Sequence, residues 1–215
     1  MASLERTSLV GLELDAGMMD TRYEGSLITR LRAQEMAAFE ELVSRFERPV
    51  YSVCLRLLGE PEEARDAAQE TFLKVYRGLP GFRGESGLKT WIYRIAINQA
   101  MNQRRWWRRR HRDETISLEL SRGDSERTLA ELISNPGATP EDMAIARERE
   151  SRLLGALARM KQEYRVALVL REIEELSYEE IAETLRISIG TVKSRIARAR
   201  EELRRRVMDS ERTDD

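Results

Sequence analysis

Apolar residues recur three or four positions apart along most of the chain, the spacing that gathers them on one face of a helix. Between Leu27 and Leu58 the stripe runs Leu27, Leu31, Phe39, Leu42, Val43, Phe46, Val50, Val53, Cys54 and Leu57. Pro49 is predicted to divide it into separate helices, because proline lacks the N–H that a helix interior uses. Gly59-Glu60-Pro61 closes that stretch, and Pro61 suits the first position of a helix over 61–77. A loop bearing glycine and proline follows over 78–87, then a long helix from about Leu88 into a basic run ending at Arg112. From Asp113 to Ala138 the chain turns acidic and serine-bearing, closing on Asn135-Pro136-Gly137, which reads as a linker. Thr139-Pro140-Glu141-Asp142 then supplies an N-cap, a proline in the first turn and acids at the positive end of the next helix.

The pattern predicts an all-α protein of two small helical domains joined by a flexible linker. The expected boundaries are a flexible tail over 1–25, a domain over 26–112, an acidic linker over 113–138, a domain over 139–207 and a tail over 208–215. No repeat of fixed period is present. Met18 and Met19 stand just before the patterned region, and an internal start there is an expectation that N-terminal sequencing of the native protein tests.

Composition narrows the function classes. A chain of 215 residues, 41% hydrophobic and 35% charged, can bury a core beneath a densely ionic surface. Its longest apolar run, Val166 to Leu170, is far short of the roughly 20 residues of a membrane span, and no basic-then-apolar leader opens the chain. The expectation is a cytoplasmic protein. A single cysteine, Cys54, and a single histidine, His111, exclude a disulfide framework and a Cys/His zinc site. His111 lies among arginines, a poor setting for a general base, so Cys–His or Ser–His catalysis is not expected, and the carboxylates show no metal-site spacing; the expectation is no catalytic residue, metal, cofactor or small-molecule substrate. The formal charge of −1, from 37 basic and 38 acidic residues, argues against a nucleic-acid partner only if the charges are evenly spread. They are segregated: basic clusters occupy Arg104 to Arg112 and Lys193 to Arg206, offset by acids in the linker, the C-terminal tail and the helix over 61–77.

Ser177-Tyr178-Glu179-Glu180 is a capping box opening a short helix that would bury Ile181, Ala182 and Leu185. A tight connection over 186–190 leads to a second helix from about Gly190. There Val192, Ile196, Ala199 and Leu203 share one face, while Gly190, Thr191, Ser194, Ala197 and Arg198 share the other. Helix, short turn and helix with small, polar and basic outward residues make a helix-turn-helix. Its small residues would let the backbone approach DNA, Arg198 would reach base edges, and Lys193 or Arg195 would reach phosphates. An ordinary helical hairpin with a solvated basic face fits the same spacing. The string Leu176 to Ala182, then Gly190-Thr191-Val192-Lys193-Ser194-Arg195, then Ala199-Arg200, resembles the domain of bacterial sigma factors that reads the promoter −35 element.

In the first domain, winding the helix from Leu88 at about 100° per residue puts Leu88, Ile92, Ile95 and Ala96 on a buried side. Trp91, Arg94, Asn98, Asn102 and Arg105 form a second stripe, suited to a single nucleic-acid strand: rings stack on bases, amides bond base edges and arginines hold phosphates. A core position for Trp91 fits equally. Asp66 to Tyr76, Phe82-Arg83-Gly84, and Thr90 to Asn98 resemble the other half of the same sigma factors. Both halves stand in the order of the small two-domain extracytoplasmic function group, and the resemblance covers roughly residues 26–110 and 140–206.

The resemblance implies a promoter-specificity subunit of RNA polymerase that is not an enzyme. It implies that Asp66, Gln69, Glu70 and Phe72 dock on core RNA polymerase, although a solvated helix face would also explain the acids. It implies that the loop of Phe82, Arg83, Gly84, Glu85 and Ser86 captures a flipped-out base of the −10 element, with Trp91 and Asn98 opening or holding the strand. Arg94, Asn102 and Arg105 complete that −10 surface. Arg171, Thr191, Lys193, Ser194, Arg195 and Arg198 make the −35 surface, where Ala197 replaces a larger residue and leaves open which bases are read. Linker acids Asp113, Glu114, Glu119, Asp124, Glu126 and Glu131 match a segment that imitates nucleic acid near the RNA exit path, and solubility also explains them. The implied partners are core RNA polymerase, promoter DNA and an anti-sigma protein, often membrane-anchored. Gln34-Glu35 departs from the glycine-acid turn frequent in the family. The alternative reading is a stand-alone helix-turn-helix regulator with an N-terminal partner-binding domain, which would bind duplex tightly without polymerase.

Overall fold

The structure is a computed structural model that describes residues 24–110 and 139–211; the expected linker over 113–138, most of the N-terminal tail and the last residues lie outside them. The described residues form α1 (24–32), α2 (Met36–Leu58), α3 (Pro61–Gly78) and α4 (Leu88–Arg110) in the first half. The second half holds α5 (Pro140–Ala158), α6 (Gln162–Glu172), α7 (Tyr178–Leu185) and α8 (Ile189–Glu211). No strand occurs among the described residues, in keeping with the all-α pattern.

The helix ends follow local chemistry. Thr139 and Asp142 form a reciprocal capping box at the start of α5, as do Ser177 and Glu180 at α7. Pro61 opens α3, where its missing N–H costs nothing. Pro49, expected to break the stripe, lies inside an unbroken α2. Phe46, Val50, Val53 and Cys54 are buried on both sides of the ring, and their packing outweighs one lost hydrogen bond on a turn where Ser44, Arg45 and Arg48 face solvent. The break comes earlier, at Gln34, whose φ of 56° is left-handed. That is the conformation for which glycine is the usual residue.

One core packs α1 to α4 through Leu27, Leu31, Leu42, Val50, Val75, Leu88 and Ile92. Burial pushes the Cys54 thiol in this core up to about 12, so it is an inert packing group. A second core joins the halves. Val53 and Leu57 of α2 and Tyr93, Ile97, Ala100 and Met101 of α4 pack with Val166, Leu170, Leu176, Ile181, Val192 and Ile196 of the second half. A smaller cluster of Leu157, Met160, Leu168 and Ala199 holds α5 and α6 to α8.

Cations placed on helix C-termini fasten this contact. The last carbonyls of a helix have no intrahelical donor and carry the negative end of its dipole. Arg165 of α6, 1% exposed, donates to the Leu57 carbonyl in the last turn of α2 at 2.7 Å. It also donates to the Ala158 and Met160 carbonyls, at and beyond the end of α5, at 3.1 and 3.3 Å. In the other direction Arg104 of α4 reaches the Ala158 carbonyl at 3.3 Å. Arg94 reaches the Glu183 and Thr184 carbonyls at the end of α7 at 2.9 and 3.4 Å.

Candidate nucleic-acid interface

The turn between α7 and α8 is built by short-range bonds. Arg186 takes a left-handed φ of 54° and closes α7. The Ile187 N–H returns to the Ala182 carbonyl at 3.0 Å, and the Ser188 hydroxyl accepts the Thr191 N–H at 3.1 Å, capping α8. Val192, Ile196 and Ala199 are buried, so Gly190, Lys193, Ser194, Ala197 and Arg198 face solvent together. Cations and small side chains on one exposed helical face can approach a polyanionic groove closely.

The remaining −35 candidates are placed differently. Thr191 is half-buried, with its hydroxyl 2.8 Å from that of Ser188. Arg195 is also half-buried and turns away from the open face to pair with Glu163 of α6 at 3.3 Å. Arg171 donates to the Leu176 carbonyl at 2.8 Å and lies over the Tyr178 ring, bracing the turn that leads into α7. Arg198 remains exposed, leaning on the Tyr164 hydroxyl at 3.3 Å.

On α4 the structure brings Asn98, Asn102 and Arg105 to one exposed face, with the Arg105 guanidinium 2.6 Å from the Asn102 side-chain oxygen. Trp91 heads the same stripe but is half-buried, its ring tilted on Phe82 at 4.8 Å between centroids. Gly78 makes room for it: a Cβ there would stand 3.0 Å from the indole. Arg94, at the edge of the stripe, is engaged with α7. In the loop, Phe82 is buried in the first core, while Arg83, Gly84 and Glu85 are exposed and Ser86 is half-exposed. Gly84 has a φ of 73°, a left-handed conformation that suits glycine.

On α3, Asp66, Gln69 and Glu70 share an exposed stripe, whereas Phe72 packs against the first core. Sequence reasoning missed Leu73, which is 47% exposed beside Gln69 and Glu70. Its signal was available: an apolar residue out of phase with the buried positions Ala64, Ala67, Ala68, Thr71 and Val75. Among the described residues no group of three His, Cys, Asp or Glu side chains could hold a metal, and no helix is long and apolar enough to cross a membrane.

Where the halves meet, the Tyr93 hydroxyl donates to the Glu174 carboxylate. Burial raises the pKa of Glu174 above the ordinary carboxylate range, against the opposing effects of the Tyr93 hydrogen bond, Arg56 and Lys89. A raised folded pKa means that the stability linked to this group is present at low pH and is lost as pH rises through the folded value. Glu174→Gln keeps an acceptor for Tyr93 without the charge. It should raise the melting temperature at pH 7, and the gain should shrink as pH falls towards 4; paired melts across that range measure it.

Two stretches of the chain match family models: residues 42–112 match Sigma-70 region 2, and residues 150–203 match Sigma-70, region 4. The RNA polymerase sigma-H factor of Pseudomonas aeruginosa is 36% identical over 184 residues, covering 86% of this chain and 93% of the relative. The ECF RNA polymerase sigma factor SigW of Bacillus subtilis is 34% identical over 182 residues, covering 85% and 95%. Among solved structures, CnrH in complex with the cytosolic domain of CnrY superposes with a TM-score of 0.63 at 22% identity, covering 87% of this chain and 97% of that one. The sigma factor RpoE of Bartonella quintana, in complex with the anti-sigma factor NepR, gives 0.62 at 23% identity, covering 79% and 96%.

Proposed function

The chain belongs to the extracytoplasmic function group of the sigma-70 family, and from that membership we propose how its residues divide the work of promoter-specific initiation. As a sigma factor it binds core RNA polymerase and directs it to promoters, reading the −35 element as duplex and capturing the −10 element as it melts. It is not an enzyme. Binding energy for bases exposed only in the open complex shifts the duplex towards melting, a population shift rather than catalysis.

The −35 element is read by Lys193, Ser194 and Arg198, with Thr191, Arg195 and Arg171 holding the recognition helix and its turn in place. The observation that carries this assignment is the common exposed face of Gly190, Lys193, Ser194, Ala197 and Arg198. The −10 strand lies along Asn98, Asn102 and Arg105, beginning at Trp91 and the exposed loop residues Arg83, Gly84, Glu85 and Ser86. Phe82 acts from beneath, as the ring on which Trp91 rests. Core polymerase docks on Asp66, Gln69 and Glu70, joined by Leu73, whose exposed apolar side chain offers area that a partner gains by burying. Phe72 supports that surface from the core side.

Promoter elements about 25 base pairs apart are on the order of 80 Å apart along B-form duplex. Arg94 of α4 bonds directly to the end of α7, so the two reading surfaces cannot both engage a promoter while the halves share a core. Engagement therefore separates them and frees Arg94 for the −10 strand. The chain acts in the cytoplasm, and an anti-sigma protein that holds the halves together is its regulatory partner. The anti-sigma factor NepR bound to the structurally similar RpoE supports that reading.

Transcription with purified core polymerase tests the whole assignment: the chain should confer promoter-dependent initiation, and its absence at every salt concentration would overturn it. The free chain should bind promoter duplex poorly until core is added; tight binding alone would favour a stand-alone regulator. Arg198→Ala should relax preference at one −35 position by about 1–3 kcal/mol. Binding to a set of single-base −35 variants checks this, and a uniform loss would place Arg198 on phosphate instead.

A further inference from the structure

We propose that Glu24 and Arg32 of α1 are positioning residues for −10 recognition: they pin the two ends of the loop over 82–88 and so fix the geometry of the surface that its exposed residues present. This rests on the reading of that loop as the captor of a −10 base. Neither residue lies in a stretch matched by the family models, which begins at residue 42.

At the loop's start, the Arg32 Nε and Nη2 both donate to the Phe82 carbonyl, at 2.9 and 2.5 Å. At its end, the Glu24 carboxylate accepts the Leu88 N–H at 2.8 Å. Both bonds are charge-assisted, and the second places an anion on an orphan donor at the positive end of α4. The two side chains are spaced by a rigid ruler. Eight residues of α-helix span about 12 Å and turn by about 80° beyond two full turns, so both reach the same side of α1.

The ruler itself is anchored. Leu27 and Leu31 are buried in the first core, and Arg30 ties the corner into α2 through Glu35 and Glu41 at 2.9 and 3.0 Å. The loop's own cross-links are light by comparison: the Phe82 N–H bonds the Leu79 carbonyl, and Arg83 and Glu85 form an exposed pair at 3.9 Å. Gly84, at its left-handed φ, lies over the Arg32 guanidinium, 4.0 Å from where a Cβ would stand. A loop ordered before it meets DNA loses less freedom on capturing a base, and its contacts fall on one base geometry rather than several. Releasing either pin should therefore cost discrimination among −10 bases, while the −35 surface on α8 and the docking stripe on α3 stay as they are.

The test uses holoenzyme assembled from core polymerase and the full chain. Its DNA is a promoter first selected from a randomised pool by the unaltered holoenzyme, then varied base by base in the −10 and −35 elements. Arg32→Ala and Glu24→Ala should lower the ratio of best to worst base at a −10 position about tenfold. Glu24→Gln, whose amide oxygen still accepts the Leu88 N–H, should keep that ratio, and Arg32→Lys, which lacks the fork, should fall between. Discrimination at −35 and affinity for core should not change. Unaltered −10 ratios would overturn the proposal, as would an equal loss at −35, which would assign the pins to general stability. Arg83→Ala and Glu85→Ala in the same assay separate the two levels. If these loop variants shift −10 preference and the pin variants do not, the pins fail and the loop reading stands. If neither set does, the loop reading fails and the proposal with it.

Discussion

Arg165→Ala is expected to lower the unfolding free energy by about 4 kcal/mol, read at fixed pH from a urea melt or as a drop of about 10 °C in melting temperature. Arg165 is buried and donates to three carbonyls, of Leu57, Ala158 and Met160, that belong to two helix C-termini. Removing it strands the Leu57 and Met160 carbonyls away from water, leaves the Ala158 carbonyl with its Arg104 bond alone and opens a cavity where the guanidinium stood. Arg165→Lys retains the charge but not the planar fork, so it should recover about half of the loss. One acceptor, Leu57, lies in the first half, and the donor lies in the second. A loss below about 1 kcal/mol would therefore show that the free chain does not hold its halves together in this way.

Trp91→Ala should cost about 2 kcal/mol of stability and, separately, most of the capacity to open the −10 region. Truncating a fully buried aromatic typically costs about 3–5 kcal/mol; Trp91 is half-buried, packed on Phe82 and over Gly78, so part of that applies. The ring thus serves both as a wall of the core and as the head of the exposed stripe of Asn98, Asn102 and Arg105. Trp91→Phe separates the two roles, since a smaller ring still packs on Phe82. Permanganate reactivity of −10 thymines reports opening, while band shifts on holoenzyme report recruitment. Opening should fall well beyond recruitment in both variants, and a melting loss confined to Trp91→Ala should accompany it. Equal losses in recruitment and opening would leave the ring with a core role only.

Most of the helices were legible because their determinants are local. The capping boxes at Thr139 and Ser177, Pro61 at the start of α3 and the buried phase of Val192, Ile196 and Ala199 all act within a turn or two of themselves. Pro49 misled because a propensity was weighed without the packing of Phe46, Val50, Val53 and Cys54 that overrides it. On α4 the apolar stripe of Leu88, Ile92, Ile95 and Ala96 was visible, whereas nothing local marks Tyr93, Ile97, Ala100 and Met101 as the face that meets the second half.

The candidate surfaces divide along the same line. Lys193, Ser194, Arg198, Asn98, Asn102 and Arg105 are exposed as their helical phase required, and Asp66, Gln69 and Glu70 share a stripe for the same reason. Arg94, Arg195, Arg171 and Phe82 carry the right chemistry for DNA yet are engaged within the fold. A side chain's phase on its own helix says which way it points, not what stands there.

By itself, then, the sequence determined the helices, their buried faces, the helix-turn-helix and the segregation of charge, since each depends on residues within a few positions of one another. Only the tertiary structure decided that the halves share a core and that arginines of each half close helix ends of the other. It also decided that Arg32 and Glu24 hold a loop 50 and 64 residues further on. Those facts depend on which surfaces meet, and a helical period carries no record of its partner.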